Sequence, residues 1–357
     1  MMRRVEVLVV VSLLLAPIVI ARVPMEAGAR SQSVLRVVCS LAPLAGIVAR
    51  VGGIYVETSV ILPEGADPHS WQLTTDALNA ASTADVLAFT GHFPWESDLA
   101  SQTGKPFISF DDQGAIARYA DFGAALSPMP GAGTSGNTTV QNQEQGNPHG
   151  YWLLPKNAKA IANATRAALT IVNSTMSEAL STNLAEFIRD VEAFENLITT
   201  KDAVYHFAGM HAVAVFPEET YVAETFGIEC DAVLQVEGVF ITGGELLAVQ
   251  GALQNGTIQL IVGSDVARLQ SGGQFADQMA KDYGGTLMWW NTIFFSGLSD
   301  YLSLMTYNLG VLTSALDLKG SSGLSAPMNL ALAVLSGLLA TIVVIETVLL
   351  IQRARAE

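Results

Sequence analysis

Residues 35–62 read LRVVCSLAPLAGIVARVGGIYVETSVIL and contain the pattern that decides the fold. The apolar, β-branched runs Leu35–Ser40 and Val56–Ile61 are typical of buried strands. Between them, Leu41–Val51 has apolar residues at helical spacing. A strand, a helix and a second strand in this order predict two parallel strands with the helix packed on one face of their sheet.

The same alternation continues along most of the chain. Strands are predicted at Leu35–Ser40, Val56–Ile61, Val86–Thr90, Pro106–Ser109, His211–Phe216, Cys230–Leu234, Leu260–Ser264 and Thr286–Trp290. Between the two sets of strands, Pro155 opens a stretch with helical periodicity. The sequence therefore predicts an α/β protein of two lobes, each with a parallel sheet, joined by long connecting helices. A ligand cleft is expected between the lobes, beyond the carboxyl ends of the strands.

The composition excludes several classes of protein. Of the 357 residues, 50% are hydrophobic and only 14% are charged, whereas roughly 25% are charged in a typical soluble domain. The formal net charge of −15 argues against a nucleic-acid partner, because phosphate contacts require clustered Lys and Arg. The two cysteines do not provide a disulfide framework. The chain is thus too apolar for an ordinary cytosolic protein.

Part of the apolar excess lies at the two ends of the chain. Within residues 1–29, two arginines at positions 3 and 4 precede the apolar run Val7–Ala21, which predicts a secretory signal peptide. The alternative is that this segment is not cleaved and remains as a second membrane anchor. Residues 330–351 form a second apolar run, long enough to cross a bilayer as a helix, and Arg353 and Arg355 follow it. We expect a C-terminal transmembrane anchor with its end in the cytoplasm; a buried core helix is the alternative.

These features divide the chain into six segments. They are the signal peptide 1–29, the N-terminal lobe 30–154, the connecting helices 155–208, the C-terminal lobe 209–318, a linker 319–329 and the anchor 330–351. Within the N-terminal lobe, residues 127–148 are rich in Gly, Pro, Asn and Gln, which predicts a long, flexible and exposed loop. Both lobes are expected outside the cell, where a negative net charge suits the capture of cations.

Three of the five histidines fall where a ligand that faces the cleft is expected. His69 follows the second strand in a Pro-His dipeptide, His92 follows the third strand directly, and His149 ends the long loop in another Pro-His dipeptide. A preceding proline restricts the backbone and helps to aim the imidazole, which is a common ligand of transition metals. His206 and His211 fall at a helix end and at a strand start away from the cleft, and we interpret both as structural.

Several motifs together resemble the zinc- and manganese-binding solute-binding proteins of ABC importers. The segment GADPHS at 65–70 resembles the G-x-D-P-H ligand loop of that family, and NPH at 147–149, followed by Trp152-Leu153 and Pro155, resembles its second Pro-His segment. Weaker similarities lie at Ala84–Val86, Thr90-Gly91, Glu96, Tyr221, Phe226–Ile228, Tyr301–Met305 and Asn308-Leu309. The resemblance covers residues 35–318 and implies two lobes with a metal ion held between them on four side chains.

The resemblance implies a bound Zn²⁺ or Mn²⁺ ion whose first two ligands are His69 and His149. The family's third ligand position aligns with Phe216, which cannot bind a metal, so that Glu218 and Glu219, just after that strand, are the candidates.

The fourth ligand position aligns with Asn291, a weaker neutral ligand. Asp265, at the end of the preceding strand, is the other option. His92 is a candidate for a third nitrogen ligand, which would place most of the site on the first lobe. Gly150 is an additional residue relative to the family pattern.

The function implied by the resemblance is that of a substrate-binding component of an ABC importer, without enzymatic activity. It would capture a divalent metal outside the cell and deliver it to a permease and its ATPase in the same membrane. Because Phe216 and Asn291 occupy ligand positions, a degenerate member that serves in adhesion or as a scaffold is one alternative. An extracellular metal-dependent hydrolase is the other. An anchor in place of a lipid-bearing cysteine suggests an archaeal envelope.

Overall fold

The computed structural model describes residues 34–131, 146–293 and 300–318. The predicted signal peptide, the linker and the anchor lie outside the described residues, as does most of the predicted loop 127–148. Among the described residues, no helix combines the length and the apolar character that a membrane crossing requires.

The first lobe is built on a five-stranded parallel sheet. Its strands are β1 (Leu35–Cys39), β2 (Val56–Val60), β3 (Val86–Ala88), β4 (Phe107–Ser109) and β5 (Ala117–Arg118), in the order β2-β1-β3-β4-β5. The helices between them are α1 (Ala42–Gly52), α2 (Thr75–Ser82) and α3 (Pro94–Thr103). Every strand pairing in this sheet is parallel, which confirms the expected strand–helix alternation.

The helix α1 shows how the opening sequence produces this packing. Leu44, Ile47, Val48 and Val51 recur at intervals of three and four residues, and all four are fully buried against the sheet. The helix then ends against β2 so closely that a Cβ atom on Gly52 would lie 2.3 Å from Cβ of Val56. Only glycine permits this approach.

Two long helices connect the lobes, and a second parallel sheet follows. The helices are α4 (Pro155–Val172) and α5 (Ser177–Tyr205). The second lobe contains β6 (His211–Ala214), α6 (Glu219–Thr225), β7 (Glu229–Val233), β8 (Gln235–Val236), β9 (Val239–Phe240), α7 (Gly243–Gln254), β10 (Leu260–Ser264), α8 (Asp265–Arg268), α9 (Ser271–Tyr283), β11 (Thr286–Trp290) and a final helix α10 over 301–318. Its sheet has the parallel order β11-β10-β6-β7. The predicted two-lobed α/β fold is confirmed.

Strand β5 extends the first sheet beyond the four predicted strands. Two further features differ from the sequence-based expectation. Strands β8 and β9 form an antiparallel hairpin that the sequence analysis did not predict. The predicted exposure of loop 127–148 is wrong at its end, because Asn147 is fully buried and His149 is nearly so. Both differences lie at the cleft between the lobes.

Candidate metal centre

Three histidines and one glutamate meet at the cleft. They are His69, His92, His149 and Glu237, and one donor atom from each lies within 4.8 Å of the others. The imidazole centroids are 4.4 Å apart for His92 and His149, and 5.1 Å apart for each of the other two pairs. The donors of a tetrahedral zinc ion lie roughly 3.3 Å apart at Zn–N distances of about 2.0 Å. A small contraction would therefore let all four side chains bind one ion.

The four-residue cluster lies where two cavities meet. A cavity of about 580 Å³ is lined by residues of both lobes, including Asp67 and His69 from the first and Phe216 and Glu218 from the second. A cavity of about 480 Å³ lies on the other side of the cluster. His92, His149 and Glu237 line both cavities, so the cluster lies between them.

His69 is positioned by a short turn between β2 and α2. The backbone N–H of His69 donates to Oδ1 of Asp67 at 3.0 Å, and the hydroxyl of Ser70 donates to Oδ2 of Asp67 at 3.1 Å. The indole N–H of Trp95 donates to the carbonyl of Pro68 at 3.0 Å, which fixes the turn to α3. The aspartate of the GADPHS segment thus shapes the turn that presents the imidazole.

His92 is positioned by the carboxylate of Glu96, which is buried at the start of α3. That carboxylate accepts hydrogen bonds from four successive backbone N–H groups, those of residues 90–93, at 2.7–3.2 Å, and from the hydroxyl of Thr90. Burial raises the pKa of Glu96, and the donors oppose that rise. These hydrogen bonds consequently fix the turn between β3 and α3 before any ion binds.

His149 presents one ring nitrogen to the cluster. Its Nδ1 lies 3.0 Å from the side-chain oxygen of Asn147. Its Nε2 is buried, has no hydrogen-bond partner within the described part of the chain, and lies 3.9 Å from Oε1 of Glu237. Nε2 of His92 is likewise buried and unpartnered there. Buried polar atoms without a hydrogen-bond partner are rare in native proteins, and both of these belong to residues of the four-residue cluster.

Glu237 occupies an unusual backbone conformation in the turn of the β8–β9 hairpin. Its φ is +46° and that of Gly238 is +83°, as in the two-residue turns that favour Asn-Gly or Asp-Gly. Glutamate rarely adopts positive φ, and such strain collects at functional sites. Its side chain remains 61% exposed. Sequence reasoning missed Glu237, although Gln-Val before Glu-Gly and Val-Phe after it is a short hairpin signal.

The environment keeps the three imidazoles neutral. Burial lowers the pKa of His92 to about 4, with the neighbouring His69 adding to the effect. Burial also lowers the pKa of His149 well below its ordinary value, again with help from the other two histidines. The pKa of His69 is lowered by burial, and the charges of Asp67 and Glu237 oppose that change. Neutral imidazole is the form that binds a metal, so these side chains need not lose a proton when an ion binds.

Two acidic residues predicted as ligands lie after β6, outside the cluster. Glu218 lines the larger cavity, but its Oε1 accepts a hydrogen bond from the hydroxyl of Ser264 at 3.3 Å. Burial raises the pKa of Glu218 to about 7. Glu219 accepts the backbone N–H of Phe216, and burial raises its pKa well above the ordinary range. The structure does not bring either carboxylate into the group of four.

The other two predicted ligands make contacts of their own. Oδ1 of Asp265 accepts hydrogen bonds from the backbone N–H and the hydroxyl of Thr292, at 3.1 and 3.0 Å. The backbone N–H and carbonyl of Asn291 are both bound by the side chain of Asn308 at 2.8 Å. Of the seven residues predicted from the sequence, the structure brings together His69, His92 and His149, and it adds Glu237.

The two remaining histidines are placed away from the cluster. His206 ends α5 with a φ of +53°. His211 begins β6, and its Nδ1 lies 3.0 Å from a carboxylate oxygen of Asp231. Hydrogen bonding and the charge of Asp231 raise the pKa of His211, the opposite of the shift in the cluster.

The fold resembles solved metal-binding proteins over most of the chain. A deletion mutant of ZnuA with zinc bound superposes with a TM-score of 0.62 at 19% identity, covering 79% of this chain and 98% of that one. The Mn-bound periplasmic metal-binding protein of Candidatus Liberibacter asiaticus gives a TM-score of 0.60 at 17% identity, covering 79% and 99%. FpvC of Pseudomonas aeruginosa, an SBP in complex with Mn²⁺, gives 0.61 at 17%, covering 80% and 99%.

Sequence comparison identifies the family. No curated protein sequence matches the chain significantly. The model of the family described as zinc-uptake complex component A, periplasmic (ZnuA), matches residues 37–315. This match spans both lobes and the connecting helices, and the chain therefore belongs to the ZnuA family.

Proposed function

We propose that the protein is the substrate-binding component of an ABC importer and that it captures Zn²⁺ at His69, His92, His149 and Glu237. The observation that carries the proposal is the convergence of these four donors within 4.8 Å, in a cleft lined by both lobes. Three neutral imidazoles and one carboxylate form a donor set that zinc accepts in tetrahedral geometry.

Manganese is the alternative cargo. Mn²⁺ is favoured by carboxylate, carbonyl and water ligands, whereas imidazole suits zinc. The cluster has three nitrogen donors and one carboxylate, and this donor set favours zinc over manganese. Solved relatives are bound to either ion, one ZnuA structure to zinc and FpvC to Mn²⁺, so a direct comparison of the two affinities is required.

Capture and release of an ion require no catalysis. A metal-dependent hydrolase needs an open coordination position and a base that activates the bound water. The four donors would fill the tetrahedral shell of a zinc ion. The buried carboxyl of Glu219 is hydrogen-bonded to the backbone of Phe216. We therefore propose a binding protein that is not an enzyme.

The proposed location is the outer face of a cell membrane. The predicted signal peptide 1–29 and anchor 330–351 support it, together with a family described as periplasmic. The proposed partners are a permease and its ATPase in the same membrane, which take the ion from the cleft.

Equilibrium dialysis of the purified full chain against zinc, followed by metal analysis, tests this function. We expect one tightly bound ion per chain, and loss of tight binding in His69→Ala and in His149→Ala. His211→Ala is the matched control, because this histidine lies outside the cluster. Equal zinc binding by the wild type and by both cluster variants would refute the proposal. If zinc neither binds nor raises the melting temperature, the degenerate-member alternative is favoured instead.

A further inference from the structure

The side chain of Asn147 is enclosed between His149 and the second lobe. It is fully buried, and each of its hydrogen-bonding positions is used. Its Oδ1 accepts the backbone N–H of His149 at 2.9 Å and lies 3.0 Å from Nδ1 of that residue. Its Nδ2 donates to the carbonyl of Pro217 at 2.9 Å and to Oγ1 of Thr220 at 3.1 Å. A side-chain amide has two acceptor positions and two donor positions, so this one is saturated.

This network fixes which way the amide of Asn147 faces. The carbonyl of Pro217 can only accept, and the hydroxyl of Thr220 already donates to it at 2.6 Å. Both groups therefore require donors from Asn147, and a flipped amide would place oxygen against oxygen. Since Oδ1 must then face His149, Nδ1 of the imidazole carries the proton and Nε2 carries the lone pair. Nε2 is the atom that faces Glu237.

The same contacts attach His149 to the second lobe. Thr220 lies in α6, and Pro217 lies just before that helix. The hydroxyl of Tyr221, also in α6, donates to the backbone carbonyl of Asn147 and accepts the backbone N–H of Ser127 at 3.0 Å. His69 and His92, by contrast, are positioned by contacts with α3 of the first lobe.

We propose that Asn147 is a positioning residue of the metal centre. It sets the tautomer of His149 and ties that ring to α6, so that the second lobe presents His149 together with Glu237 while the first lobe presents the other two histidines. Aspartate would serve less well, because its second oxygen would repel the carbonyl of Pro217. The inference rests on the proposed metal-binding function, since it concerns how one of the proposed ligands is held.

The tautomer of His149 can be measured without any metal. In the full chain labelled with ¹⁵N-histidine, nitrogen chemical shifts distinguish the Nδ1–H form from the Nε2–H form, and His149→Gln assigns the resonance. We expect the Nδ1–H form in the wild type and a mixture of the two forms in Asn147→Ala. Zinc affinity, measured by competition with a chromophoric chelator, should fall about 10- to 100-fold in Asn147→Ala, as for other residues that orient a metal ligand.

Two further variants separate the two roles of Asn147. Asn147→Asp restores an acceptor for Nδ1 but removes both donors, so we expect the wild-type tautomer and partial recovery of affinity. Thr220→Val removes one contact with α6 and should weaken zinc binding without changing the tautomer. The matched control is Asn157→Ala, because Asn157 is equally buried and, within the described ranges, its amide is hydrogen-bonded only to backbone groups of Ala125 and Tyr151.

Three outcomes would overturn the inference. The first is a wild-type tautomer and wild-type zinc affinity in Asn147→Ala. The second is an equal loss of affinity in Asn157→Ala, which would show a general structural effect. The third outcome applies if Asn147→Ala does not fold. It is wild-type zinc affinity in both Asn147→Asp and Thr220→Val. A wild-type chain that binds no zinc would instead contradict the proposed function, while the tautomer measurement would still test the role of Asn147.

Discussion

Oε1 of Glu237 lies 3.9 Å from Nε2 of His149, across the space in which the donors of the cluster converge. Glu237 lies in the turn of the β8–β9 hairpin. The family resemblance implied no ligand in this hairpin. The pair therefore joins a histidine predicted from a Pro-His dipeptide to a carboxylate found only in the structure.

Replacement of this carboxylate should weaken zinc binding. Glu237→Gln keeps the shape of the side chain but removes the charge, and we expect the affinity to fall by on the order of tenfold to a hundredfold, or about 1.4–2.8 kcal/mol. Glu229→Gln is the matched control, because Oε2 of Glu229 also lies 3.9 Å from a histidine Nε2, that of His211. Chelator competition on both variants measures the difference. Equal affinities would remove Glu237 from the site.

His92 should contribute more to zinc binding than Glu218, although Glu218 lies closer to the third ligand position of the family. Loss of one of three nitrogen donors in His92→Ala should lower the affinity at least tenfold, by about 1.4 kcal/mol or more. In Glu218→Gln we expect a change of less than about threefold, or 0.7 kcal/mol, because that carboxyl is bound to Ser264. The same competition assay compares them. A larger loss in Glu218→Gln would show that the ion binds deeper in the second lobe.

The histidine cluster should destabilise the metal-free protein in acid. Because burial lowers the pKa of His92 to about 4, the unfolded chain takes up a proton near pH 6.5 that the native state resists. Stability is therefore lost as the pH falls from about 6.5 to about 4, by up to roughly 3 kcal/mol for this residue. Urea unfolding of the wild type and His92→Gln over this range measures the effect.

The variant, which lacks this histidine, should lose less stability on acidification. Glu218, with its pKa raised to about 7, acts in the opposite direction, since its native form gains protons first. That contribution is present in both proteins and cancels in their difference. Parallel stability profiles for the two proteins would contradict the lowered pKa of His92.

Gly150, next to His149, should be sensitive to substitution. Its φ is +84°, and a Cβ atom there would lie 2.8 Å from Cα of Glu218. Gly209 has a similar φ of +78°, but no atom of the described residues lies within 4 Å of such a Cβ. We expect Gly209→Ala to lower stability by about 1 kcal/mol through backbone strain alone, and Gly150→Ala to lower it by a further 1–3 kcal/mol or so through the clash. Urea unfolding of the two variants measures both; equal losses would show that the backbone of Glu218 yields easily.

The eight longer strands and the positions of both Pro-His dipeptides were predictable because their signals are local. One buried helix face can be predicted from spacing alone, that of Leu44, Ile47, Val48 and Val51. A proline before His69 marks a shaped turn in the same way. His92 was predicted as a third nitrogen donor for the related reason that it directly follows a strand.

The candidate ligand from the second lobe was not predictable because its placement depends on contacts between distant residues. Glu218 follows β6 where a ligand was expected, but the hydroxyl of Ser264, far along the chain, binds its carboxyl. Glu237 lies in a turn between strands of two residues each, too short for any periodicity. Its approach to His149 arises only when the second lobe packs around residues 147–149.

The hydrogen bonds from the backbone of residues 90–93 to Glu96 affect the order in which contacts with an ion form and break. An arriving ion meets His92 already aimed, so that little ordering remains to be done on that side. Glu237, exposed and held in a left-handed turn, has far less to keep it in place. A transport protein must release its ion as well as bind it. We expect the carboxylate of Glu237 to be the last donor to bind the ion and the first to dissociate from it.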